Sequence, residues 1–213
     1  MNRVIFISAT DTNIGKTHIG KHLIEKISKL GYAVSVFKPI ETGVKELPLD
    51  AKILYEEALK YNKDLKGLTL DDIAPITFKL PAAPFVAKQN KSIDLDQLKE
   101  SFNKIAKLGE VVLIEGAGGL LTPIDENLFM IDLAKMFGAK VLLVVPDGLG
   151  CINQTLVNIH FLKSNNINFI WAINSRSNSS FENISKPFFD KMFDDYILLP
   201  KDFNKLIKNL MEK

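Results

Sequence analysis

Short apolar runs, several of them rich in β-branched residues, alternate along the chain with longer stretches in which apolar residues recur every third or fourth position. The short runs are typical of buried strands, and the longer periodic stretches are typical of amphipathic helices. The predicted strands cover residues 3–9, 32–37, 111–114, 140–145, 169–173 and 196–199. The predicted helices cover residues 19–30, 49–61, 94–108, 128–137, 152–164, 179–193 and 203–211.

This alternation predicts an α/β fold, because strands that are joined by helices pair in parallel. Runs such as 111–114 are apolar on both faces, as expected when helices cover both sides of a sheet. We therefore expect a mostly parallel central sheet with helices on both faces, formed by residues 1–213 as a single domain. Residues 62–93 are interrupted by prolines and predict no long element.

Polar or glycine-rich segments follow most of the predicted strands. Ligands in parallel α/β sheets bind at the carboxyl ends of the strands, so these segments are expected to meet at one site. They include lysines and a glutamate, which simple turns do not require. The segments are residues 10–17, 38–43, 115–119, 146–150 and 174–176.

The segment T-D-T-N-I-G-K-T at residues 10–17 has the layout of a phosphate-binding loop, since it follows a strand and opens a helix. Backbone N–H groups and the helix dipole favour an anion at such a position. Lys16 can reach the β- and γ-phosphates, and the Thr17 hydroxyl can bind Mg²⁺. Thr10 stands where the strict pattern has glycine, so an ordinary surface turn remains the alternative on this segment alone.

Two charged residues at other strand ends fit the same interpretation. Glu115 follows four apolar residues, a position typical of an acid that holds Mg²⁺ beside a phosphate loop; the alternative is a solvated strand-end acid. Lys38 precedes a proline that stiffens its turn, and a second lysine there could neutralise a transferring phosphoryl group or an anionic nucleophile. Taken alone, Lys38 could also be an ordinary surface lysine.

Composition narrows the range of partners. A net charge of +2 argues against nucleic acid as the main partner, and no apolar run approaches the length of a membrane span. The single cysteine, Cys151, cannot form an internal disulfide, which fits a cytoplasmic protein. His18 and His22 have the spacing of a metal pair, but no third ligand is evident, so we interpret them as a solvated or packing pair.

Four motifs in order, T-D-T-N-I-G-K-T (10–17), K-P-I-E-T-G (38–43), E-G-A-G-G (115–119) and L-G-C-I-N (149–153), resemble those of the dethiobiotin synthetase family. The resemblance implies a P-loop NTPase fold and a Mg²⁺- and ATP-dependent enzyme of biotin synthesis. Such an enzyme converts 7,8-diaminopelargonic acid and CO₂ to dethiobiotin, ADP and phosphate, through a carbamate and a carbamic–phosphoric anhydride. The substrates would be the diamine and CO₂ or bicarbonate, without nucleic-acid or membrane partners.

The resemblance also implies a role for individual residues. Those expected to act in catalysis are Lys38, Lys16 and Thr12. Those expected to bind ATP are Thr12, Asn13, Ile14, Gly15, Lys16, Thr17, His18, Glu115, Gly118 and Asn174. Those expected to bind the diamine are Thr42, Gly118, Leu149, Gly150, Cys151 and Asn153, and those expected to bind Mg²⁺ are Thr17, Asp50 and Glu115. Residues 149–153 would receive the substrate carboxylate from the neighbouring subunit, giving a homodimer with composite active sites.

Some positions depart from the family pattern. Ala9 replaces a usual glycine, Asn13 a common acidic residue, and Phe85 a frequent histidine.

A different class of protein with this fold, a partitioning or division-site switch ATPase, is the alternative, and residues 203–211 could then be its basic, amphipathic membrane-binding helix. The loop 10–17 lacks the extra lysine that those ATPases carry near its start, which argues against this alternative.

Overall fold

The structure, a computed structural model, describes residues 2–176 and 181–212. Its strands in chain order are β1 (Arg3–Ala9), β2 (Val34–Phe37), β3 (Ile40–Thr42), β4 (Ile76–Phe78), β5 (Val111–Gly119), β6 (Pro123–Asp125), β7 (Leu128–Phe129), β8 (Lys140–Pro146), β9 (Phe169–Asn174) and β10 (Ile197–Leu199). Its α-helices are α1 (Lys16–Lys29), α2 (Leu49–Tyr61), α3 (Leu70–Ile73), α4 (Pro84–Ala87), α5 (Leu95–Ala106), α6 (Met130–Met136), α7 (Cys151–Ser164), α8 (Lys186–Met192) and α9 (Phe203–Met211). A 3-10 segment, Lys63–Gly67, follows α2, and a π-helical segment, Phe181–Ser185, precedes α8.

The central sheet of the described chain has six strands in the order β10-β9-β8-β1-β5-β2, and every neighbouring pair is parallel. Consecutive buried residues run along β1 and β5, from Ile5 to Ala9 and from Val111 to Gly116. Since successive side chains point to opposite faces, burial of consecutive residues means that both faces are covered. The α/β fold with helices on both faces of a parallel sheet is therefore confirmed. The assignment of residues 1–213 to one domain stays a prediction.

Helix α9 packs on the body of the protein through its apolar face. Phe203, Leu206, Ile207 and Leu210 are all buried, and α9 contacts α1, β9 and β10. Burial of this face removes the apolar surface that a membrane-binding tail would use. No helix among residues 2–176 and 181–212 is both long and apolar enough to cross a bilayer.

Several boundaries differ from the sequence prediction. Strand β5 continues past Ile114 through Gly119, because Glu115 pairs with Ile7 and Gly119 pairs with Ala9. The predicted helix 128–137 begins only at Met130, since its first two residues pair with β6 as β7.

Other differences lie in short segments. The segment after β2 is not a simple turn, since β3 pairs in parallel with β4 from the mixed region 62–93. In the predicted helix 179–193, residues 179–180 lie outside the described part of the chain, and the rest is the π segment followed by α8.

Candidate functional site

A cavity of about 850 Å³ lies where β1, β2 and β5 end. The loop 10–17, residues 81–84 and the end of β5 contribute to its walls. Thr12, Thr42 and Gly118, three of the residues expected at the substrate or the nucleotide, all contribute to its lining. The segments after β1 and β2 and the end of β5 therefore meet around one space, to which Arg176 after β9 also contributes, whereas residues 146–150 do not line it.

The loop 10–17 reaches α1 through two residues with positive φ. Gly15, the residue before the helix, has φ +103°, and Asn13 has φ 58°. Asparagine tolerates this left-handed conformation better than most residues, which accounts for Asn13 without strain. Ala9 stays within β1, so the absence of glycine there requires no unusual backbone.

Two side chains from the end of β9 contact the back of this loop. Asn174 Nδ2 donates a hydrogen bond to the Ile14 carbonyl at 2.8 Å, and Arg176 Nη2 donates to the Asn13 carbonyl at 2.6 Å. A Cβ at Gly15 would lie 2.5 Å from Asn174 Nδ2, so the loop and β9 are in close contact. Sequence reasoning assigned Asn174 a role but gave none to Arg176, although both stand at a strand end facing the same edge.

Lys16 lies beneath the loop with its side chain largely buried. Its Nζ donates to the Asp11 carbonyl at 3.1 Å. Burial, reinforced by the nearby positive charge of Lys38, lowers the pKa of Lys16 from 10.5 to about 8. An anion bound against the loop would offset both effects, so this position is suited to phosphate.

Three oxygen-bearing side chains converge at the start of α1. Thr17 Oγ1 lies 3.0 Å from Asp50 Oδ1 and 3.0 Å from Glu115 Oε1. Glu115 is 1% exposed, and its second oxygen, Oε2, has no hydrogen-bond partner among the described residues. A buried carboxylate oxygen without a partner is costly, and a cation beside it would remove the cost.

This donor set fits Mg²⁺. The ion prefers hard oxygen ligands and binds to one or two carboxylates, with water and phosphate oxygens completing its shell. The described chain contains no group of three or more His, Cys, Asp or Glu side chains able to hold a metal. Thr17, Asp50 and Glu115 thus resemble a metal site completed by a nucleotide rather than a closed protein cage, and His18 with His22 form no such cage.

Lys38 extends from the end of β2 into the same cluster and is 2% exposed. Its Nζ lies 2.6 Å from Glu115 Oε1 and 3.3 Å from Asp50 Oδ2, and it donates to the Gly116 carbonyl at 3.2 Å. Burial alone would lower the pKa of Lys38, but the two carboxylates outweigh burial and raise it above 10.5. Lys38 is therefore a permanent cation at the cavity wall and not a surface lysine.

Glu41 was not predicted as a site residue. Its two carboxylate oxygens accept hydrogen bonds from the amides of Asp50 and Ala51 in the first turn of α2, at 3.0 Å each. Burial raises the pKa of Glu41, and these two amides partly oppose the rise. The sequence offered little indication of this cap, because Glu41 lies well before the first residue of α2.

A further cavity of about 420 Å³ contains Asn174 and His18, two of the residues expected to bind ATP. His18, Asn174 and Pro200 line it, with Arg176 and Phe203. The His18 ring packs edge-on against His22 with a centroid separation of 4.6 Å, which agrees with the packing interpretation. Phe85 lies on α4 outside both cavity linings.

The segment 149–153 lies apart from the main cavity of its own chain. Leu149 is 91% exposed, Gly150 and Asn153 are also exposed, and Cys151 is buried at the start of α7. The Cys151 amide donates to the Gly148 carbonyl at 3.0 Å, so this N–H group is already paired. Within one chain, residues 149–153 do not line the cavity that contains Lys38, although the next residue, Gln154, accepts a hydrogen bond from Thr10 of the loop at 3.3 Å.

Comparisons with known proteins identify the family of the chain. The family model described as an AAA domain matches residues 3–192. An ATP-dependent dethiobiotin synthetase BioD from Sulfurovum sp. (strain NBC37-1) is 46% identical over 190 residues, covering 89% of this chain and 90% of the relative. A protein of the same name from Wolinella succinogenes is 34% identical over 211 residues, covering 97% of each chain.

Among solved structures, the MinD cell division protein of Aquifex aeolicus matches with a TM-score of 0.56, covering 98% of this chain and 87% of that one. At 17% identity this likeness shows the fold alone. The shared fold explains why a division-site ATPase was an alternative. The relatives by sequence, however, are synthetases. The coverage and identity of those relatives show that this chain is an ATP-binding P-loop enzyme of biotin biosynthesis and belongs to the ATP-dependent dethiobiotin synthetase family.

Proposed function

We propose that this enzyme closes the ureido ring of dethiobiotin from 7,8-diaminopelargonic acid, CO₂ and ATP, with Lys38 as the residue that stabilises the reacting anions. The observation that supports this most strongly is the position of Lys38 Nζ, buried 2.6 Å from Glu115 Oε1 in the cavity that the loop 10–17 also lines. A fixed cation in a site of low dielectric stabilises developing negative charge far better than one in water.

The reaction has three bond-forming steps. One substrate amine attacks the carbon of CO₂ and loses a proton, which gives a carbamate. A carbamate oxygen then attacks the γ-phosphorus of ATP, and ADP leaves. The second amine attacks the carbonyl carbon of the resulting anhydride and loses a proton, and phosphate leaves with the closure of the ring. None of these steps requires a protein nucleophile, so positioning and charge stabilisation supply the rate.

The position of each residue in the cavity suggests its role in these steps. Lys38 would hold the carbamate oxygen in line with the γ-phosphate, while Lys16 would hold the phosphates and follow the transferred group. Thr12 and Thr42, which both line the cavity, would contact the amine or carbamate end. Thr17, Asp50 and Glu115 would hold Mg²⁺, which supplies positive charge to the phosphate oxygens when it is bound.

A homodimer with composite sites is part of this proposal. Leu149, Leu156 and Val157 are exposed on and beside α7, and such an apolar face favours association with a second copy. Residues 149–153 would then meet the carboxylate of the diamine bound to the neighbouring subunit. We place the reaction in the cytoplasm, where a chain with one buried cysteine needs no disulfide.

The proposal is tested by incorporation of ¹⁴C-bicarbonate into an acid-stable product. The purified enzyme with diaminopelargonic acid, ATP and Mg²⁺ is expected to yield labelled dethiobiotin and one ADP per product. Omission of the diamine is the control, and it should leave only acid-labile label. Absence of an acid-stable labelled product from the complete mixture would rule out the proposed reaction.

The lowered pKa of Lys16 predicts that nucleotide binding takes up a proton. Below pH about 8, Lys16 of the nucleotide-free enzyme is already protonated, so little proton uptake accompanies ADP binding. Above pH about 8 the free lysine is largely neutral, whereas bound phosphates favour its ammonium form, so affinity should fall by up to about tenfold per pH unit. Titration calorimetry with ADP in two buffers of different ionisation enthalpy measures the uptake. Equal uptake by a Lys16→Met variant would contradict the assignment to Lys16.

A further inference from the structure

Glu41 is a buried acid just outside the lining of the main cavity. It lies on β3 between Ile40 and Thr42 and is 6% exposed. A carboxylate removed from water to this degree requires strong hydrogen-bond donors, preferably charged or aligned with a helix dipole. Its neighbour Thr42 reaches the cavity, whereas Glu41 itself does not line it.

The donors are supplied by the first turn of α2. Glu41 Oε1 accepts from the Asp50 amide and Oε2 accepts from the Ala51 amide, both at 3.0 Å. Pro48, the residue before this helix, provides no side-chain cap. Glu41 therefore does for α2 what a local Ser, Thr, Asp or Asn does for most helices, and it also places negative charge at the positive end of the dipole.

The residue whose backbone is held in this way is Asp50. Its carboxylate lies 3.0 Å from Thr17 Oγ1 and 3.3 Å from Lys38 Nζ. The Asp50 side chain is 43% exposed, so packing alone does not fix it. Residues 45–47, in the loop before α2, are exposed, so this part of the loop makes few packing contacts that could fix the start of α2. The position of this carboxylate thus depends on the backbone of the first helical turn.

We infer that Glu41 is a positioning residue that holds Asp50 at the magnesium site by capping α2 from the neighbouring strand. The inference rests on the proposed function, since it takes Asp50 as one of the Mg²⁺-binding residues. Thr42, a residue expected to bind the diamine, follows Glu41 on β3. This short strand would therefore position both Asp50 and Thr42. Outer residues that orient metal-binding carboxylates commonly change metal affinity by about 10–100-fold when they are removed.

The test compares Glu41→Ala and Glu41→Gln with Glu46→Gln, a change of an exposed glutamate in the loop before α2. The affinity for ADP is measured by calorimetry with EDTA and across a Mg²⁺ titration. In Glu41→Ala the Mg²⁺ midpoint should rise about tenfold, while ADP affinity in EDTA should change less than about twofold. Glu41→Gln keeps one acceptor and should give a smaller rise, and Glu46→Gln should match the unchanged enzyme.

A second readout does not depend on the metal. Hydrogen exchange of the amides of Asp50 and Ala51 should accelerate in Glu41→Ala without nucleotide or Mg²⁺, while exchange in β1 and β5 stays unchanged. Acceleration throughout the sheet would mean general destabilisation and would overturn the positioning role. If the alanine variant does not fold, Glu41→Gln carries the same measurement, because it preserves the shape of the side chain.

The decisive comparison uses Asp50→Asn. If Glu41 acts through Asp50, then adding Glu41→Gln to Asp50→Asn should move the Mg²⁺ midpoint no further. Additive shifts, or an unchanged midpoint in the Glu41 single variants, would overturn the inference and leave the proposed function intact. A wild-type enzyme whose ADP affinity ignores Mg²⁺ would instead overturn the magnesium site itself, and this inference with it.

Discussion

Turnover of a Lys38→Ala variant is expected to fall by about a thousandfold, while its affinity for ADP stays within about threefold of the unchanged enzyme. Lys38 Nζ is buried beside Glu115 and Asp50, and in the proposed mechanism it meets charge that develops on the carbamate and not on the bound nucleotide. An interaction made mainly in the transition state is lost from kcat when it is removed, with little effect on the binding of the ground state.

Steady-state kinetics with the diamine and calorimetry with ADP measure the two quantities separately. Lys52→Ala, a change of a partly exposed lysine on α2, is the control and should alter neither. Removing Lys38 leaves the buried Glu115 carboxylate without its ion-pair partner, which costs about 3–5 kcal/mol in comparable cases, so melting temperatures are recorded for each variant. Equal losses in turnover and ADP affinity would contradict the carbamate role.

Lys16, the other lysine of the cavity, is expected to affect nucleotide affinity as well as turnover. Lys16→Met should lose about 100-fold in ADP affinity, because hydrogen bonds between an ammonium and phosphate are among the stronger polar interactions. Turnover at saturating ATP should also fall, by about a thousandfold, since the same charge accompanies the transferring phosphoryl group. The two lysines therefore share one cavity but should give distinct patterns of nucleotide affinity and rate.

Calorimetry and ADP-release assays measure these effects, and Lys21→Met on the same helix is the matched control because Lys21 is half exposed. Methionine keeps most of the length and apolar stem of lysine, so the buried packing of Lys16 is preserved. Retention of wild-type ADP affinity by Lys16→Met would show that the loop binds phosphate through its backbone alone.

The parallel central sheet was predicted from the sequence because most of its strands are apolar runs rich in β-branched residues that alternate with helices. Its ligand edge was predicted because parallel α/β sheets bind ligands at the carboxyl ends of their strands. That rule alone was enough to bring together Lys16, Lys38 and Glu115, which lie far apart in the chain. The motif resemblance then added Asp50, whose position the loop before α2 left loose. In the structure Thr17 lies between Asp50 and Glu115, as a shared metal site requires.

What the sequence did not reveal depends on contacts between distant segments. Strands of three residues such as β3 and β4 carry too little pattern to stand out beside prolines. The cap on α2 comes from Glu41 on another element, whereas sequence rules for caps consider only the residues next to the helix. Arg176 contacts the Asn13 carbonyl across most of the chain, and no local signal encodes such a pair.

The central position of β1 has a consequence for how the protein is made. This first strand pairs with β5 and β8, and its loop is contacted from behind by Asn174 and Arg176 at the end of β9. A growing chain therefore contains the phosphate-binding motif well before the contacts behind it can form, because Asn174 lies 160 residues after Ile14. Nucleotide binding should appear late and abruptly during translation, as a result of pairings between residues distant in sequence.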